Sequence, residues 1–125
     1  MIKMLLEDME AHKNALEIIK IIYALDFPKD EQFMLKSQMV RASHSILLNI
    51  CEAYAFDGRK RTNYYRIALG SAYETKACCL VYSERTGISV NELYDKIDKE
   101  CGLLVGMIRH SVSASDSVSV PIQRR

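Results

Sequence analysis

The row Ile2, Leu5, Met9, His12, Leu16, Ile19 and Tyr23 advances in alternating steps of three and four residues, the spacing of one helix face packed into a bundle. A second apolar row, Ala15, Ile18, Ile22 and Leu25, runs beside it, so the first helix is apolar around more than one face. Asp26-Phe27-Pro28 predicts its end, because proline disfavours helical geometry in the residue before it, and Asp30 is placed to cap the next start. A second helix is expected from about Glu31 to Phe56, with Leu35, Met39, Ala42, Ile46, Ile50 and Ala53 inward and Asp57-Gly58 as its stop. The third opens near Thr62. Along it Tyr65, Ala68, Ala72, Cys79 and Tyr82 make one row, Leu69, Tyr73 and Leu80 lie beside it, and Gly87 ends the element. Ser89-Val90-Asn91-Glu92 reads as a capping box for a fourth helix, with Leu93, Ile97, Cys101, Leu104 and Ile108 inward.

Four long helices with short connections predict an all-α fold, an antiparallel up-down-up-down four-helix bundle. It occupies residues 1–112. From Ser113 onward the helical period is lost, and residues 113–125 are expected to form a disordered C-terminal tail.

A chain of 125 residues is the size of one domain with one core and leaves no room for a separate catalytic domain. Its 17 basic and 16 acidic side chains give a net charge of +1, which supplies no general argument for nucleic acid. The distribution changes that picture. Residues 1–32 carry four basic and seven acidic groups (−3), residues 33–80 carry seven and three (+4), and residues 81–125 carry six of each. The positive excess therefore lies on the middle two helices. Cys51, Cys78, Cys79 and Cys101 lack Cys-x-x-Cys spacing, and no secretory signal places them in an oxidising compartment, so they read as reduced, small core residues. No stretch approaches the roughly 20 apolar residues that span a bilayer. A soluble cytoplasmic protein without a membrane partner is expected.

One stripe is too polar to be plain core. Gln38, Arg41, Ser45, Asn49 and Glu52 recur every three or four residues, and Ala68-Leu69-Gly70-Ser71 leads to Glu74 on the next helix. Gln38-Met39-Val40-Arg41-Ala42-Ser43-His44-Ser45-Ile46, then Asn49-Ile50-Cys51-Glu52, then Tyr64-Tyr65-Arg66-Ile67-Ala68-Leu69-Gly70-Ser71 with Glu74, resembles the four-helix-bundle family encoded in intervening sequences of bacterial 23S ribosomal RNA genes. The resemblance runs from about Leu5 to Ser111 and takes in Phe27-Pro28-Lys29-Asp30-Glu31. Leu47 stands where that family commonly has proline, and Ala53 where glycine usually follows. The resemblance implies a homo-oligomeric ring, most often a pentamer. From the residues alone, two apolar rows on the first helix and seven tyrosines predict only self-association.

Arg41, Ser45, Asn49, Glu52, Ser71 and Glu74 are read as a structural polar network that fixes helix register. The sharper alternative is a Glu52 and Glu74 carboxylate pair for acid–base work or metal binding. Bundle metal sites add histidine at Glu-x-x-His spacing, and here Ala55 and Ala77 occupy those positions. His12, His44 and His110 are scattered over three helices, and no local spacing joins them to Cys51 or Cys101. No catalytic residue, metal or cofactor is expected.

Arg59, Lys60 and Arg61, with Arg66 beyond them, are the candidate contacts to phosphates, and Tyr64 and Tyr65 are placed to stack on unpaired bases. The leading expectation is a non-enzymatic ring that binds structured RNA, with ribosomal RNA the first candidate. The alternative is a protein-interaction or structural scaffold. It includes an accessory subunit for the reverse transcriptase of a diversity-generating retroelement, a group whose markedly basic members fit a charge of +1 less well.

Overall fold

The computed structural model describes residues 9–118, with side chains described through 113. Ile2 and Leu5 of the first row, and residues 119–125 of the expected tail, lie outside that range. The described chain is all-helical: α1 (Glu10–Ala24), α2 (Ser37–Ala53), α3 (Gly58–Thr86) and α4 (Asn91–Val118), with a 3₁₀ turn at Lys29–Glu31 and a π-helical turn at Gln32–Lys36 before α2.

Side-chain pairs give the directions of the helices. Met9 and Tyr23 on the first arm meet Tyr54 and His44 on the second, and Arg41 and Ser45 of α2 meet Glu74 and Ser71 of α3. Thr62 and Lys76 of α3 meet Ser111 and Asp98 of α4, while Glu10 and Asn14 of α1 meet Lys99 and Lys96. In every pair one number rises as the other falls, so neighbouring helices are antiparallel and the four close around one core with α1 diagonal to α3. Ile18, Ile22, Met39, Ile46, Ile50, Tyr82, Leu93, Ile97 and Leu104 fill that core. Ala68, Ser71, Ala72 and Thr75 on α3 are small and buried, which lets the adjacent helices approach closely.

All six inward positions expected on the second helix are buried, five on α2 and Leu35 in the π-helical turn before it, and so are four of the five on α4, Ile108 being half-buried. On α1 the second row supplies most of the core. Ala15, Ile18 and Ile22 are buried and Ile19 of the first row joins them, whereas Leu16 and Tyr23 of the first row are exposed, because a helix apolar on two faces can turn only one of them into its own bundle.

Element ends differ more. Leu25, extended, follows α1 as the Phe27-Pro28 signal requires, and Phe27 is itself buried edge-on against Tyr82, whose hydroxyl donates to Asp26 O at 2.7 Å. Asp30 caps nothing; it lies 3.8 Å from Arg85. Residues 54–56 leave α2 through bonds from each N–H to the carbonyl three residues back, a tightened last turn. Asp57-Gly58 then serves as the start of α3 rather than the stop of α2: Asp57 is extended, and Gly58, at φ +61°, reverses the chain in a conformation that favours glycine. Thr62 thus falls inside α3. Gly87, at φ +73°, does end α3, its N–H reaching Ser83 O. The capping box does not form: Tyr94 N–H bonds Val90 O, which makes Val90 the residue before the helix, and no hydrogen bond joins Ser89 to Glu92 among the described residues. α2 passes through Leu47 without a break. α4 continues past the expected limit at Val112 as far as Val118, since no proline or glycine interrupts the sequence there.

Candidate nucleic-acid interface

The basic run lies in the first turn of α3, at the end of the bundle where α2 turns back. A helix N-terminus carries partial positive charge, so cations there are opposed by the dipole, each by about 0.3–1 kcal/mol when exposed. Arg61 resolves the conflict locally. Its Nε donates to Ala53 O at 3.2 Å and to Phe56 O at 2.8 Å, two carbonyls at the negative end of α2, and its guanidinium lies 5.3 Å from the Tyr54 ring. Arg59 and Lys60 have no such relief. Both are exposed, neither has an acidic partner among the described residues, and Lys60 Nζ stands 4.4 Å above the Phe56 ring. An open cleft of about 370 Å³ is lined by Tyr54, Ala55, Phe56, Asp57, Lys60 and Arg61.

The two tyrosines fare differently. Tyr64 is half-buried and stacked on Phe56, centroids 5.4 Å apart and planes 5° from parallel. Tyr65 is only 6% exposed, and burial pushes its hydroxyl up, so the expectation that it stacks on bases is corrected: its ring belongs to the core. A period-3.6 wheel explains this, since Tyr65 shares a face with Ala68 and Ala72. Arg66 is exposed further along α3.

The polar stripe separates into two clusters. Arg41 Nη2 pairs with Glu74 Oε2 at 3.0 Å, with Gln38 Nε2 at 3.4 Å from the same oxygen. One turn along, Ser71 Oγ donates to Ser45 Oγ at 2.7 Å, and Asn49 Nδ2 donates to Ser45 O and Oγ at 2.8 and 3.1 Å. Glu52 is not drawn in. It is exposed, its carboxylate has no hydrogen bond among the described residues, and it lies about three turns beyond the Arg41 level at which Glu74 sits. A joint Glu52 and Glu74 site is therefore ruled out by geometry.

Among the described residues no group of three or more His, Cys, Asp or Glu side chains is placed to hold a metal ion. All four cysteines are free thiols, and burial pushes each of them up, Cys79 to about 12, which leaves none activated as a nucleophile. His44 Nε2 lies 3.3 Å from the Tyr23 hydroxyl, His110 is exposed, and His12 has a buried Nδ1 without a partner.

Sequence reasoning passed over three polar pairs. Glu100 is wholly buried; Asn14 Nδ2 donates to its Oε1 at 2.9 Å and to Lys96 O at 2.8 Å, tying α1 to α4. Burial pushes the Glu100 carboxyl up to about 7, against smaller opposing effects of the Asn14 bond and the Lys99 charge. A signal was present: Glu100 shares the inward face with Leu93, Ile97 and Leu104, and Asn14 precedes Ile18 and Ile22 at four-residue steps. Thr62 Oγ1 and Ser111 Oγ, 2.5 Å apart, form a second buried pair, and Glu31 with Arg85 ties the 3₁₀ turn to the end of α3.

Fold and site together define a four-helix bundle with a basic, aromatic turn at one end. The chain belongs to the 23S rRNA-intervening sequence protein family, whose pattern matches residues 7–110. The resemblance carried by residues 38–74 is thereby borne out. No curated protein matches the chain. Among solved structures, a protein of unknown function from the S23 ribosomal protein family of Bacteroides thetaiotaomicron VPI-5482 superposes with a TM-score of 0.70 at 24% identity, covering 78% of this chain and 97% of its own. That likeness supports the bundle fold. No described helix is long and apolar enough to cross a membrane.

Proposed function

We propose that the protein is a non-enzymatic bundle that self-associates into a ring, a pentamer as the family resemblance implies, and binds structured RNA, with ribosomal RNA the first candidate. The observation that carries the RNA reading is the placement of Arg59 and Lys60: two exposed cations without acidic partners among the described residues, held where the α3 dipole opposes them. An anion at that turn would relieve both effects. Self-association is supported by α3, which is apolar on both sides. Its inner row is core, and Ile67, Tyr73, Leu80 and Val81 remain exposed on the other face. Copying a modest basic turn around a ring multiplies phosphate contacts, on whose number affinity depends steeply.

Light scattering during size exclusion, followed by anisotropy titration of a folded ribosomal RNA fragment, tests this reading. The expected outcome is an oligomer that binds, and a double variant Arg59→Glu/Lys60→Glu that stays folded and oligomeric but loses binding. Equal binding by both proteins would remove the turn from the site. A second reading, a protein-interaction scaffold, draws on Phe33 and Met34, which the π-helical turn leaves exposed (Phe33 83%) at the opposite end of the bundle. Absence of RNA binding at low salt would favour it, and a reverse transcriptase is then a partner to try.

A further inference from the structure

Resting on the RNA reading, we infer that this turn recognises the phosphate backbone of paired RNA and not unpaired bases. The rings that would accept a base already have intramolecular partners. Phe56 has two partners, Tyr64 parallel to it at 5.4 Å and Lys60 Nζ 4.4 Å from its centroid. Tyr54 lies beneath the Arg61 guanidinium at 5.3 Å, and its hydroxyl meets Met9 Sδ. Tyr65 is in the core. Opening Phe56 to a base would separate it from Tyr64, and moving Tyr54 would disturb the arginine that holds residues 53–56 against α3.

What remains outward is charge. Arg59, Lys60 and Arg66 are exposed, on a turn fixed by the Arg61 bonds. A rigid set of cations without a stacking platform favours the ligand with the greater phosphate density. For RNA that is the duplex, whose paired strands carry a stronger counterion atmosphere than a single strand. Such a site reads no base edges and is indifferent to sequence.

Competition anisotropy with an RNA duplex and an oligouridylate of equal phosphate number tests this directly. Wild-type protein should prefer the duplex by several-fold, and Tyr64→Leu should change neither affinity by more than about two-fold. Loss of a stacking residue would instead lower oligouridylate binding by about five-fold or more. Equal affinity for the probes, preference for oligouridylate, or a large loss in Tyr64→Leu restored in Tyr64→Phe would overturn the inference while leaving RNA binding intact. The probe preference of the wild-type protein decides the matter even if a variant fails to fold. No binding of either probe at low salt would reject the RNA reading itself, and this inference with it.

Discussion

Arg61 and Lys60 are neighbours in one basic run, yet their surroundings assign them opposite roles. Arg61 donates to two carbonyls and holds the end of α2, so Arg61→Ala should destabilise the fold by about 1–2 kcal/mol in a denaturant titration, the range of charged hydrogen bonds at a half-exposed site. Lys60→Gln should leave stability within about 0.5 kcal/mol. Equal effects would contradict the assignment. The distinction was not legible in the sequence, because it depends on α2 stopping at Ala53 and not at Phe56. Glu100 gives a second residue-scale prediction. Its folded carboxyl, pushed up to about 7, holds a proton more tightly than an unfolded one, so its stabilising contribution is complete below the ordinary carboxylate range and is lost as pH rises through about 7. Wild type should therefore lose up to roughly 3 kcal/mol relative to Glu100→Gln between pH 4.5 and 8. Parallel stability curves for the two proteins would show that the buried carboxyl does not titrate in that window.

At the scale of elements, what the sequence specifies well is a helix with one apolar face. α2 has one inward row, and Met39, Ala42, Ile46, Ile50 and Ala53 are all buried, whereas α1 and α3 carry apolar residues on two sides and periodicity cannot say which side belongs to the protomer. Ends were less legible for a related reason: Asp57-Gly58 is a good stop and also a good start, and only the packed geometry chooses. The outer face of α3 yields a prediction that separates the two uses of an apolar row. Tyr73→Glu with Leu80→Glu should reduce the proposed oligomer to a monomer in size exclusion with light scattering, while helicity by circular dichroism is retained, since both side chains are exposed in the protomer. A helical variant of unchanged mass would move the interface to another face.

For the whole molecule, the bundle carries the proposed phosphate-binding turn and the proposed association face on the same helix, so assembly and RNA affinity should be coupled. At this site one protomer offers three exposed cations, Arg59, Lys60 and Arg66, and if they alone meet phosphates the slope of log K against log salt should be no steeper than about −2.7 at about 0.9 per phosphate. Several protomers engaging one RNA exceed that limit. The most direct measurement is this slope, taken by anisotropy on a folded ribosomal RNA fragment for wild type and for the Tyr73→Glu/Leu80→Glu variant. A slope clearly steeper than about −3 for wild type, falling below that value in a monomeric variant, is the expected result. Undetectable binding at low salt, or a slope that does not change when the oligomer is lost, would contradict an RNA-binding ring.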